Sequence, residues 1–194
     1  EEDLNETLAQ SVRKRLPWLL VLLGLGMVVS SVVGLFESVV AQLTLIVCFQ
    51  SLVLDMAGNV GTQSLAVTIR VLMDSETTGA QKRKLVWKEA RVGLTNGAIL
   101  GAASFVLIGA YLCLLRGEAP LMAFGVSGCI GIALIAAMLL SSISGTVIPI
   151  FFKKIGVDPA VASGPLITTV NDLVAVITYY GLAYILFFQI LHIA

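Results

Sequence analysis

The chain has 194 residues, 58% of them hydrophobic and 12% charged, with twelve basic and twelve acidic side chains. Soluble domains carry about 45–50% apolar and about 25% charged residues, so this composition excludes a water-soluble globule. A net charge of zero leaves no basic surface for nucleic acid.

A helix needs about 20 apolar residues to cross the hydrocarbon core of a bilayer. The segment before the first such run opens on Glu1-Glu2-Asp3, which is acidic where a secretory signal is basic, and reads as the continuation of something upstream. Spans are expected at about residues 16–36, 39–73, 92–115, 121–152 and 159–191. Pro17 and Trp18 lead into the first. The second is interrupted by the polar stretch from Asp55 to Ser64. Between the second and third lies Asp74–Glu89, mixed in charge, which reads as a solvated connector with helical character from Lys82 to Glu89. Asp158 as N-cap and Pro159 at the first helical position predict a sharp start for the fifth. Spans two, four and five exceed the minimum and must tilt, kink or protrude. Cys48, Cys113 and Cys129 lie inside these apolar runs without metal-ligand or disulfide spacing, and read as small buried hydrophobes.

Basic residues set the expected orientation. With five crossings, Arg13, Lys14, Arg15, Arg70, Lys82, Arg83, Lys84, Lys88, Arg91, Lys153 and Lys154 share one side, and only Arg116 falls on the other. This split predicts a multi-pass protein of the cell membrane with a cytoplasmic N-terminus and an outside C-terminus.

Charged groups within a bilayer cost a few kcal/mol, about 3 at the centre, and usually face a cavity or a partner. Asp55 and Asp172 are two such groups, and no Lys or Arg lies deep in any span to pair with them. At 1.5 Å per residue, Asp55 lies about 24 Å from the outer end of span two and Asp172 about 21 Å from the inner end of span five. Both therefore fall near mid-membrane. Asp55, Asn59 and Gln63 recur every four residues and line one helical face, with Gly58 and Gly61 among them. In span five, Gly164-Pro165 precedes Thr168, Thr169, Asn171 and Asp172; a helix break there is tolerable only where it is buried in protein or lines water. The cluster Ser141, Ser142, Ser144, Gly145 and Thr146 in span four fits either small-residue packing or a pore wall.

Oxygen ligands without a deep His or Cys favour a hard cation. Few carboxylates suit Mg²⁺, which sheds water reluctantly and touches one or two acids through its hydration shell. With one or two acids per chain, a homodimer placing two Asp172 around one axis would supply the rest.

Two stretches resemble a known family. Ala57-Gly58-Asn59-Val60-Gly61-Thr62-Gln63-Ser64 followed by Arg70 is similar to the second-span signature of the MgtE magnesium channels and transporters. Gly156-Val157-Asp158-Pro159-Ala160, then Gly164-Pro165-Leu166, Thr168-Thr169 and Asp172, resembles the motif leading into that family's last span. Trp18, Ser30-Ser31 and Phe36-Glu37-Ser38 fit its first. The resemblance implies an all-α integral membrane protein, a homodimer with five transmembrane helices per chain and a pore on the dimer axis. It implies that Asp172 of both chains holds a hydrated Mg²⁺, with the Thr168 backbone beside it. It implies further a cytoplasmic connecting helix over residues 1–15 leading from Mg²⁺-sensing regulatory domains, a paired CBS module among them, into a pore domain over residues 16–194. Two positions depart from the pattern. Asp55 stands where many members have a small residue, and Ala175 where a glycine is common.

The expected function is therefore a pore passing hydrated Mg²⁺ into the cytoplasm. Asp172, Thr168 and Asp55 are the metal contacts, and Gly58, Asn59, Gln63, Thr169 and Asn171 line the pore. Two other readings stand beside it: a proton- or Na⁺-coupled divalent cation carrier, and a membrane scaffold that transports nothing. An enzyme is not expected, since no Ser-His, Cys-His or HExxH arrangement exists and the single histidine, His192, is near the C-terminus.

Overall fold

A computed structural model describes residues 7–37, 41, 43–73 and 78–192, and among these every regular element is helical. Five helices are long and apolar enough to cross a membrane. They are α1 (Leu8–Gly34), α2 (Thr44–Leu72), α3 (Gly79–Leu114), α4 (Pro120–Lys154) and α5 (Pro159–Ala183), which runs on into a π-helical turn, Tyr184–Ile190. The chain is thus an all-α, multi-pass membrane protein.

Local chemistry explains the ends. Pro120 occupies the first position of α4, and α5 begins at Pro159, where a missing N–H and a fixed φ favour helix starts. The connections 115–119 and 155–158 turn at Gly117 and Gly156, whose φ values of 69° and 76° suit a residue without a Cβ. Although Gly164-Pro165 predicts a weak point, α5 stays helical across it; Thr168 Oγ1 donates to the Gly164 carbonyl at 3.1 Å. In the π turn, the Leu191 N–H reaches back five residues to the Leu186 carbonyl at 2.9 Å.

Helix α1 begins at Leu8 and runs unbroken through Pro17, so helix precedes the first span without a break. One start differs from expectation: α3 begins at Gly79 rather than near Val92, and most of the expected connector is helix. A reciprocal cap starts it: the Thr78 N–H donates to Gln81 Oε1 at 2.7 Å, and the Gln81 N–H donates to Thr78 Oγ1 at 3.3 Å. Charged side chains argued for solvent, but a helix longer than the bilayer carries its charges beyond the hydrocarbon edge without unwinding. The expected first residue of span two, Val39, and the connector residues 74–77 lie outside the described residues.

Helix α4 is the centre, packed against α2, α3 and α5, while α1 lies outside against α5 and has no buried residue. Leu19, Leu20, Leu23 and Met27 of α1 are largely exposed, a surface that lipid solvates and water would not. Lipid offers no hydrophobic force between helices, so they associate by close packing of small residues. A Cβ on Gly101 would sit 2.7 Å from the Gly131 carbonyl oxygen, and one on Gly131 would sit 2.8 Å from that of Gly101. Helices α3 and α4 therefore touch backbone to backbone. Helix α5 is tied to α2 by two phenols: Tyr179 donates to the Ile46 carbonyl at 2.9 Å, and Tyr180 to Gln50 Oε1 at 2.5 Å. At the opposite end, Lys153 of α4 donates to the Leu72 carbonyl, one of the last acceptors of α2.

Candidate functional site

One face of α2 and one of α5 form an open groove of about 600 Å³. Helix α2 contributes Gln50, Ser51, Asp55, Gly58, Asn59 and Thr62, a stripe set by recurrence at three and four residues. Thr168 and Asp172 enter from α5, one helical turn apart. The two mid-span carboxylates thus line the same space, with Asp55 exposed and Asp172 half-buried. No Lys or Arg lines this groove.

The polar groups present acceptors. Asn59 Nδ2 donates to Asp55 Oδ2 at 3.3 Å, which leaves the amide oxygen as an acceptor. Thr62 donates its hydroxyl proton to the Asn59 carbonyl at 2.9 Å, and Thr168 donates to Gly164 as noted above. Each hydroxyl spends its proton on its own helix, so its lone pairs remain available. Two carboxyl groups and a set of unspent acceptors make this an acceptor-rich face, chemically suited to a cation and not to an anion. Among the described residues no three His, Cys, Asp or Glu side chains gather to enclose a metal. The described residues of one chain therefore offer an open polar wall and not a cage.

Three residues expected to line a pore do not line this groove. Gln63 is exposed and Thr169 half-buried, both outside its lining. Asn171 is fully buried, and its side-chain amide nestles against Gly61 of α2, in the space a Cβ there would fill. Among the described residues neither end of that amide has a hydrogen-bond partner. Asn171 is turned about 100° around α5 from Asp172, which is why one packs and the other faces the groove.

A third acid, inside the bundle, was not legible in the sequence. Glu89 of α3, in the supposed connector, is 4% exposed. Ser64 donates to Glu89 Oε2 at 3.0 Å and lies 2.9 Å from Ser142 Oγ, while Ser142 donates to the Glu89 carbonyl at 2.6 Å. Lys88 Nζ stands 3.7 Å from Glu89 Oε1. The cap at Thr78-x-x-Gln81 was the legible signal that Glu89 lies inside a helix; its pairing with residues 25 and 53 positions away was not. Removing one partner of a buried bond strands the other, at about 1–3 kcal/mol. Glu89→Ala is accordingly expected to lower the thermal midpoint in detergent, and Glu89→Gln, which keeps an acceptor, to lower it less.

The helices and the groove together define a polytopic α-helical membrane protein with two carboxyl groups in an open groove between two of its spans. Residues 50–182 match the MgtE family of divalent cation transporters, and the chain belongs to that family. It is 37% identical over 182 residues to the magnesium transporter MgtE of Enterococcus faecalis, covering 94% of this chain and 38% of that protein. With the Bacillus subtilis magnesium transporter MgtE it shares 39% identity over 170 residues, 88% of this chain and 36% of the relative. The Thermus thermophilus magnesium transporter MgtE is 31% identical over 172 residues, with 89% and 36% covered. The chain spans little more than a third of the length of these curated relatives.

Proposed function

We propose that the chain is the membrane pore of a Mg²⁺ channel, with the α2–α5 groove as one half of the conduction path. The observation that carries this is the placement of Asp55 and Asp172, from two helices, along one open polar groove with no basic side chain in it. A single chain leaves that groove open on one side. Two copies facing one another across a twofold axis would close it into a pore and bring both Asp172 carboxylates to the ion. Mg²⁺ keeps most of its water, so the carboxylates act at a distance and the Asn59 and Thr168 oxygens accept hydrogens from that water.

In this reading the eleven-to-one distribution of basic residues puts the N-terminus in the cytoplasm and the C-terminus outside, so Mg²⁺ moves inward down its gradient. Residues 1–15 serve as the helix that connects to Mg²⁺-sensing cytoplasmic domains, and residues 16–194 form the pore. The relatives named as magnesium transporters support the choice of ion.

Recording from the purified chain in planar bilayers tests the proposal. Single-channel steps in Mg²⁺ that persist without a proton or Na⁺ gradient are expected. Flux that follows such a gradient would replace the pore with a coupled carrier, and no flux at all would favour a scaffold. Asp55→Asn is expected to slow Mg²⁺ uptake on the order of ten-fold without abolishing it, since it removes one groove charge and leaves Asp172. The check is the initial uptake rate into liposomes.

A further inference from the structure

A second cavity lies away from the groove. It measures about 700 Å³ and lies between the end of α2 at Val71 and the first half of α3. Lys84, Lys88 and Arg91 line it, spaced four and three residues apart and therefore on one helical face. Among the described residues no acidic side chain lines it, and Thr95 and Asn96 stand at its far end along α3. Trp87, 69% exposed, forms part of its wall and also borders a smaller adjoining cavity with Arg83.

Depth decides what fits. Helix α3 has 36 residues, about 54 Å, against a hydrocarbon core of about 30 Å. The apolar run begins at about Val92, which puts Thr95 and Asn96 just inside the hydrocarbon edge and Arg91 at it. Lys88 and Arg91 then fall at headgroup level, Lys84 lies just beyond, and Trp87 takes the interfacial position typical of tryptophan. The cavity therefore offers an apolar wall of Val71, Leu85 and Val92 beside the lysine stems, leading toward acyl-chain depth, and cations at and just beyond the depth of a lipid phosphate.

We propose that this cavity is a binding site for an anionic phospholipid, its phosphodiester held by Lys84, Lys88 and Arg91 and its acyl chain laid along α3 below Trp87. The site stands whether or not the groove conducts Mg²⁺, because neither its residues nor its test involve transport. The bound lipid bridges α2 and α3 where described contacts between those helices are few, and so steadies the basic end of α2.

Fluorescence quenching tests this. The chain has two tryptophans, so Trp18→Phe leaves Trp87 as the sole reporter. This protein is placed in phosphatidylcholine vesicles holding a fixed fraction of either dibromo-phosphatidylglycerol or dibromo-phosphatidylcholine. Quenching of Trp87 is expected to show on the order of ten-fold preference for the anionic lipid. Lys84→Gln, Lys88→Gln and Arg91→Gln together are expected to remove the preference, whereas neutralising Arg13, Lys14 and Arg15 leaves it. If the triple variant fails to fold, Lys84→Gln and Arg91→Gln singly should each reduce it, since neither side chain bonds the Glu89 cluster. Equal quenching by both lipids means ordinary boundary lipid and overturns the proposal. Quenching by neither means that protein fills the cavity, and displacement by inorganic phosphate means a free-anion site; either also overturns it. A preference that survives loss of the three cations does the same.

Discussion

Asp172→Ala is expected to cut Mg²⁺ uptake into proteoliposomes on the order of a hundred-fold, to near the leak of empty vesicles. Asp172 is the acid of α5 in the groove, and in a symmetric pore its loss counts twice, once per chain. The side chain is only half-buried, and no described Lys or Arg ion-pairs with it, so truncation strands no buried partner. Folding should survive: the variant is expected to elute with the wild-type protein on size exclusion and to melt within about 1 kcal/mol of it in stability. Asp172→Asn separates charge from shape; if it conducts like wild type, the carboxylate is not what holds the ion. Asp172→Ala at full rate would end the pore assignment.

The second large effect is structural. Gly61 lies at a crossing of three helices. A Cβ there would collide with the Asn171 amide of α5 and meet Ile167 Cγ2 at 3.3 Å, and the Gly61 carbonyl already occupies the space a Cβ on Gly145 of α4 would need. Overpacking of this kind costs about 1–3 kcal/mol for a single added methyl, and more for a larger group. Gly61→Ala is therefore expected to lower the thermal midpoint clearly, and Gly61→Leu to prevent recovery of folded protein. Displacing Asn171 also moves its neighbour Asp172, so any Gly61→Ala protein that folds should conduct poorly. Gly58 is the internal control. Nothing lies within 4 Å of a Cβ there, so Gly58→Ala should melt as wild type; because Gly58 lines the groove, its effect belongs to uptake alone. Equal melting of the two alanine variants would contradict the packing described for Gly61.

The contrast between these glycines shows how far residue order can be read. Both stand in the same motif, three residues apart, and nothing local separates them. The helix turns about 300° between them, so one faces the groove and the other faces α5. Asn171 and Asp172 divide in the same way. Consecutive polar residues in an apolar span read as a shared lining, yet of these two α5 turns the acid to the groove and packs the amide against Gly61. Glu89 was concealed for a different reason. Its neighbours Lys82, Arg83, Lys84 and Lys88 made the segment look solvated, and only its helical phase turns the one carboxylate inward to Ser64 and Ser142.

By composition and period alone, the chain had already committed itself to five spans, to acids at mid-membrane and to a polar stripe on α2. Transfer from water to lipid is a property of each residue in turn, and adds along the chain whatever packs beside it. Tertiary structure decided where α3 begins to matter, which of two adjacent residues meets the groove, and how the buried cluster and the basic cavity are assembled. Those outcomes depend on helix rotation and close approach, which in lipid are set by backbone contact at glycines such as Gly61, Gly101 and Gly131. A hydropathy pattern carries no information on which of those contacts forms.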